Sequence, residues 1–247
     1  MSPNRRLVLI HGFTESPSMW TSLIEQLNDT TLVVSTPSIP GHGEHPEIPV
    51  EHTAKSYCEA IIQQIPEDNL PWIVVGHSMG GYLASTLIRI TQQRIHAVGF
   101  FHSKAGADAA EKIEDRKRAI LAAGQNKDLY LAGMLRNTLA DANIVRCQPE
   151  LAQMIDTAKR DISSACIIAA QEVMIERPDN VDFLSSAPFP IHYFLGKQDK
   201  SIPLEQMAGE IESLPMASVH IADATGHMGH IECENEVLQW LRRICKF

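Results

Sequence analysis

The sequence has no apolar run long enough to cross a bilayer, no basic tract and no paired cysteine motif, and each absence removes a class of protein. A spanning helix needs about 20 consecutive apolar residues. The acidic residues outnumber the basic ones, 30 to 21, for a net charge of -9, with the acids scattered along the chain. Phosphate backbones are bound by basic stripes, so no nucleic-acid partner is expected. Five cysteines, Cys58, Cys147, Cys166, Cys233 and Cys245, form no C-x-x-C pair and are odd in number. That usage predicts reduced thiols in a cytosolic protein. The opening Met1-Ser2-Pro3-Asn4-Arg5-Arg6 runs straight into Leu7 to Ile10, too short an apolar stretch for a secretory leader. A soluble, cytoplasmic protein with no membrane partner is the expectation.

What is present is alternation. Six short apolar runs read as buried strands: Leu7 to Ile10, Leu32 to Ser35, Trp72 to Val75, Ala97 to Phe101, Ile191 to Leu195 and Val219 to Ala222. Helical spacing recurs between them, as at Trp20, Leu23, Ile24 and Leu27, at Leu204, Met207, Ala208 and Ile211, and at Val237, Trp240, Leu241 and Ile244. Strand alternating with helix predicts a doubly wound α/β fold, with a mainly parallel sheet of about six strands covered on both faces. The alternation breaks between the fourth and fifth strands, where residues from about Asp108 to Phe183 carry helical patterns and no strand. Gly124, Gln148-Pro149 and Pro178-Asp179 are the expected breaks there. The predicted organisation is therefore a core of residues 1–102 and 188–247 with a helical cap, residues 103–187, over the strand ends. Met134, Met154 and Met174 in this block are read as ordinary packing residues, with a pocket lining as the alternative.

The third run delivers Gly76-His77-Ser78-Met79-Gly80 directly into a helical pattern containing Leu83, Leu87 and Ile90. Such a turn holds a serine hydroxyl outward at the end of a buried strand, where it is free to attack. The glycines leave room for the turn and let the Met79 N–H face an oxygen that becomes negative during acyl transfer. A serine needs a base, and the base needs an orienting acid. Asp199 follows the fifth strand and His227 the sixth; in a parallel sheet these carboxyl ends share one rim with Ser78. Taken singly, Asp199 is also a plausible helix-capping turn residue and His227 a glycine-rich loop histidine. Together the three supply nucleophile, acid and base. A second oxyanion donor is expected from the loop after the first strand, where Gly12 allows the Phe13 N–H to turn back toward the serine.

Four further groupings need an assignment. His230 stands three residues after His227 and is the alternative base. His42, His45 and His52, among Glu44, Glu47 and Glu51, lie in a proline- and glycine-broken segment without helical i, i+4 spacing. That pattern predicts a solvated loop and no metal site. Ser103 lacks glycine flanks and reads as a hinge of the cap. No motif for an organic cofactor is present.

His11-Gly12-Phe13, Pro40-Gly41-His42-Gly43, Gly76 to Gly81, Gly196 to Asp199, and Gly226-His227 with Glu232 resemble the successive landmarks of the α/β-hydrolase superfamily, over nearly the whole chain. The resemblance implies Ser78 as nucleophile, Asp199 as acid, His227 rather than His230 as base, and a helical cap. The opening Leu9 to Thr14 with Trp20 is similar to menaquinone-pathway synthases of the superfamily. Those carry arginine after the double glycine, where this chain has Tyr82, so a neutral or weakly polar small-molecule acyl substrate is expected. Three functions follow as candidates: a serine hydrolase of small to medium carboxylic esters or thioesters through an acyl-enzyme, a triad-dependent lyase or C–C bond hydrolase, and a non-catalytic ligand receptor.

Overall fold

The computed structural model describes residues 3–91 and 93–246. Its strands are β1 (Arg5–Ile10), β2 (Leu32–Ser35), β3 (Trp72–His77), β4 (Ile95–Phe101), β5 (Ile191–Gly196) and β6 (Ala217–Ala222). Its helices are α1 (Thr21–Leu27), α2 (Ala54–Gln63), α3 (Met79–Ile90), α4 (Ala110–Arg136), α5 (Gln148–Asp161), α6 (Ser164–Glu176), α7 (Val181–Ser185), α8 (Ala208–Glu212), α9 (Gly229–Glu232) and α10 (Glu234–Lys246). All six strands pair in parallel, in the order β2-β1-β3-β4-β5-β6. The winding reverses between β1 and β3, and such a reversal opens a crevice at the carboxyl ends of the strands.

Successive strand residues face opposite sides, and both sides are largely buried in β1, β3, β4 and β5, whereas the edge strands β2 and β6 are partly exposed. Val8, Ile10, Val74, Phe100 and Tyr193 join Tyr57, Ile61, Leu83 and Leu87 of α2 and α3 in one core. Leu7, Leu9, Ile73, Val75 and Phe194 join Trp20, Leu23, Trp240 and Ile244 in the other. Each such fully buried large apolar side chain stabilises the fold by roughly 1.5 to 3 kcal/mol. No helix of the described residues is long and apolar enough to cross a membrane.

Between β4 and β5 lie four helices, α4 to α7, and no strand among the described residues. Helices α4, α5 and α6 share a third core built on Leu131, Leu135, Ile155 and Ile167, which also takes in Met228 from the loop after β6. Gly124 does not break α4. The irregularity falls two residues later, at Asn126 (φ -157°, ψ 92°), whose side chain accepts the Leu129 N–H at 3.0 Å and so restarts the helix as a cap. The helix expected over Leu204 to Ile211 is instead a 3-10 turn, Leu204–Gln206, followed by the short α8. Gly209, a weak helix former, and Pro215 just beyond the end confine it. Helix α2 was not anticipated in the sequence, although Thr53 and Ser56 close a capping box at its start, with Ser56 N donating to Thr53 Oγ1 at 3.1 Å.

Candidate active site

Ser78 sits between β3 and α3 with φ 49° and ψ -117°, a strained backbone that a non-glycine residue holds only when its surroundings enforce it. A Cβ at Gly76 would collide with the backbone of Gly80 and Gly81, and one at Gly80 with the carbonyls of Ile10 and His11. The turn closes because both positions lack one. Its carbonyl accepts the Gly81 N–H at 2.9 Å and the Ser103 hydroxyl at 2.7 Å. Ser103 is fully buried and steadies the turn through this bond.

The loops after β5 and β6 bring Asp199 and His227 to this point. His227 Nε2 lies 2.8 Å from Ser78 Oγ, and its Nδ1 lies 2.7 Å from Asp199 Oδ2. With the proton on Nδ1 donated to the carboxylate, Nε2 presents its lone pair to the hydroxyl. Asp199 Oδ1 accepts the Ser201 and Ile202 N–H groups at 2.8 and 2.9 Å. Burial alone would raise the Asp199 carboxyl. The charge and hydrogen bonds of His227 and His102 outweigh it and hold the group well below the usual carboxylate range. His230, the alternative base, stands elsewhere, with Nε2 3.7 Å from Glu15 Oε1.

The base loop is tied down at several atoms. His227 N donates to Thr138 O at 2.6 Å, and Glu232 accepts from Gly226 N at 3.0 Å, Met228 N at 3.1 Å, Ala140 N at 2.8 Å and Asn143 Nδ2 at 2.9 Å. Glu232 thereby joins the loop after β6 to the turn that follows α4.

Phe13 and Met79, the expected oxyanion donors, follow β1 and open α3 respectively. As the first residue of its helix, Met79 has an N–H without an acceptor inside the helix. Gly12 N donates to Glu15 Oε2 at 2.7 Å, which fixes the His11–Gly12 peptide at the start of the loop that carries Phe13.

A cavity of about 200 Å³ opens over Ser78, lined by Phe13, Tyr130, Met134, Leu135, Met174 and Met228 on its apolar side. Met134 and Met174 are thus pocket residues, contrary to expectation, whereas Met154 packs in the helical core. Lys112, Arg116 and Gln171 line the cavity as well. Tyr82 carries no charge, but Arg177 lies 3.8 Å and Arg116 5.9 Å from the centre of its ring. Both guanidiniums hydrogen-bond one carboxylate, that of Asp108. Burial would raise this carboxyl, and the two arginines hold it well below its ordinary range. Of these charged groups, Arg116 lines the cavity together with Lys112 and Asp115, whereas Arg177 and Asp108 lie behind Tyr82 and outside the lining. Burial and repulsion from Arg116 also lower the Lys112 ammonium.

Sequence reasoning missed His102, Lys112, Arg116 and Thr138. His102 stood at a strand's carboxyl end, a signal that could have been used; the others depend on how the helices settle. His42, His45 and His52 do not converge: His42 is buried rather than solvated, with Nδ1 3.1 Å from Pro40 O, and His52 pairs with Glu172.

A serine, a histidine and an aspartate joined in sequence at the carboxyl rim of a parallel sheet define an enzyme-like site on an α/β scaffold. Residues 7–240 match the profile of the Alpha/beta hydrolase family, and the chain belongs to that family. It is similar to a pimeloyl-[acyl-carrier protein] methyl ester esterase of Aromatoleum aromaticum, 36% identical over 83 residues, which cover 34% of this chain and 31% of that enzyme. The menaquinone-pathway likeness extends further: a 2-succinyl-6-hydroxy-2,4-cyclohexadiene-1-carboxylate synthase of Salmonella typhimurium is 22% identical over 97% of this chain and 93% of its own. Among solved structures, a thermophilic esterase of Thermogutta terrifontis superposes with a TM-score of 0.79 at 25% identity, covering 99% of this chain and 92% of that one. An esterase of Exiguobacterium antarcticum superposes at 0.84 with 16% identity, over 100% and 94%.

Proposed function

We propose that the protein hydrolyses a small to medium carboxylic ester or thioester through an acyl-enzyme. The observation that carries this is the unbroken chain from Asp199 Oδ2 to His227 to Ser78 Oγ, at 2.7 and 2.8 Å, beneath a cavity of about 200 Å³. His227 takes the Ser78 proton as the oxygen attacks the carbonyl carbon, and Asp199 holds the imidazole in the required tautomer and balances its charge. The Phe13 and Met79 N–H groups receive the oxyanion. Collapse of the intermediate expels the alcohol or thiol, which leaves with the proton from His227; water then repeats the cycle and frees the acid. Residues 103–187 act as the cap, with Met134, Leu135 and Met174 setting acyl length and Lys112 and Arg116 facing a polar or anionic end. The five unpaired thiols fit a reducing, cytoplasmic setting.

The esterase relatives support this reading, and the test is direct. Fluorophosphonate should label Ser78, and Ser78→Ala should lose p-nitrophenyl ester turnover by on the order of a millionfold while remaining folded. Retained turnover in that variant overturns the covalent route. A second reading, a triad-dependent lyase, is favoured by the full-length synthase relatives and by the presence of Lys112 and Arg116 in the cavity wall. Elimination from a carboxylate-bearing 2-hydroxy acid outpacing every ester in a panel would select it.

A further inference from the structure

His77, immediately before the serine, is fully buried and differs from its neighbours in what its two ring nitrogens meet. Nδ1 lies 2.6 Å from Glu15 Oε2, and Nε2 lies 2.9 Å from the carbonyl oxygen of His227. A carbonyl has no proton to give, and a carboxylate has none either. A neutral imidazole donates once and accepts once, so it can satisfy only one of these partners unless Glu15 is protonated.

His11 provides the contrast. Its Nδ1 lies 2.8 Å from Gly12 O while its Nε2 accepts the Ile39 N–H at 3.0 Å, the pattern of a neutral ring, and burial pushes it down to about 3. His102, buried, and His230, largely so, each have one ring nitrogen lacking a partner, and burial lowers each to about 4. At His77 burial works in the same direction, but the Glu15 charge and hydrogen bond and the His227 carbonyl outweigh it and raise the ring. Burial would raise Glu15, and His77 brings it down to about 2.

We propose that His77 and Glu15 form a buried imidazolium–carboxylate pair that positions the base loop and the oxyanion loop against one another. The inference rests on the hydrolase function above. Glu15 Oε2 accepts the Gly12 N–H at 2.7 Å, so the same carboxylate fixes the His11–Gly12 peptide, at the start of the loop that carries Phe13. The His77 ring, one residue from the nucleophile, holds the backbone of the base. One ion pair therefore connects the loop after β1, the elbow after β3 and the loop after β6. A metal ion does not suit these atoms, although Glu15, His77 and His230 cluster. Ligands about 2.0 to 2.1 Å from a tetrahedral zinc stand roughly 3.4 Å apart, whereas Nδ1 and Oε2 are 2.6 Å apart, which is a shared proton.

The groups that face His77 are Glu15, His102, His227 and His230, with Asp199 and His11 farther out. The experiment combines nitrogen NMR of histidine-labelled protein with steady-state kinetics. At pH 7.5, the resonances removed by His77→Gln should report both ring nitrogens protonated, and should stay so after chelation. Glu15→Gln can place its amide oxygen where Oε2 accepts from both Gly12 N and His77 Nδ1, so it removes the charge and spares those two contacts. It should return His77 to the neutral form and lower kcat by roughly 10- to 100-fold, with KM changed less than twofold. A neutral His77 in the unaltered protein, a two-proton signature lost on chelation, or wild-type kcat in Glu15→Gln overturns the proposal. If Glu15→Gln does not fold, the wild-type spectrum alone decides. Absence of fluorophosphonate labelling in the wild type would instead overturn the hydrolase reading and leave the ring-nitrogen result standing.

Discussion

His102 and His227 share a single oxygen. Both Nδ1 atoms approach Asp199 Oδ2, at 3.2 and 2.7 Å, from strands β4 and β6 on either side of β5. The shorter bond goes to the residue that meets Ser78, and the longer one to a ring whose Nε2 has no partner. His102 therefore serves Asp199 and has no path of its own to the hydroxyl.

Replacing His102 by phenylalanine keeps the ring volume and removes the donor. The fold should lose about 1 to 3 kcal/mol, as expected for one hydrogen bond to a buried charge, measured by the urea midpoint. The His227 bond remains, so kcat/KM should fall less than tenfold. A loss as large as that of His227→Ala would place His102 in the reaction itself.

Asp199→Asn should lower kcat by about 10⁴-fold, because an amide can hold His227 in the wrong tautomer. The same variant reports on acid stability. The Asp199 carboxyl is depressed in the folded chain, so its contribution is present above the unfolded value near about 4 and is lost as pH falls through the folded value. Denaturation midpoints between pH 5 and 2 should slope less in the variant than in the wild type.

The His77–Glu15 pair adds opposite slopes. Glu15, lowered to about 2, stabilises above its unfolded value near about 4.3 and loses this as acid is added. His77, raised, contributes fully below its unfolded value near about 6.5, and the contribution is lost as pH rises through the folded one. A plateau between pH 5 and 6.5 with a decline on the alkaline side is expected, and the alkaline decline should shrink in His77→Gln.

Lys112 lines the cavity, half-buried, one helical turn before Arg116. Lys112→Met should reduce kcat/KM for an aryl half-ester of a dicarboxylic acid relative to a neutral ester of equal length. A change on the order of 3- to 10-fold is expected for an attraction weakened by solvent. An unchanged ratio would remove the charged wall from selectivity.

Met174→Ala should move the acyl-length optimum upward by one or two carbons in a p-nitrophenyl ester series. If the optimum stays in place, the chain runs along another wall.

The strands β1, β3, β4 and β5 were legible because they are largely buried on both faces and therefore nearly continuously apolar; the edge strands β2 and β6 are only partly buried, yet Leu32 to Ser35 coincides with β2. The residues Ser78, Asp199 and His227 were legible because a parallel sheet sends successive carboxyl ends to one rim. The charged groups around Tyr82 were not legible, because Lys112, Asp115, Arg116 and Arg177 are distant in sequence and brought in by α4 and the end of α6. His77 and Glu15 lie 62 positions apart, and neither shows a local pattern that announces a pairing. Gly124 read as a break because glycine is a poor helix former, but packing of the flanking turns overrode that preference until Asn126 supplied a cap.

Glu232 and Thr138 have a practical corollary for anyone who would retarget this enzyme by exchanging its inserted helices. The base loop hangs by His227 N on the carbonyl of Thr138, and by Glu232 on Ala140 and Asn143, all contributed by the exchangeable stretch. A graft that imports foreign helices but discards the turn from 138 to 143 would leave the imidazole without its moorings, so donor segments should be spliced around that turn.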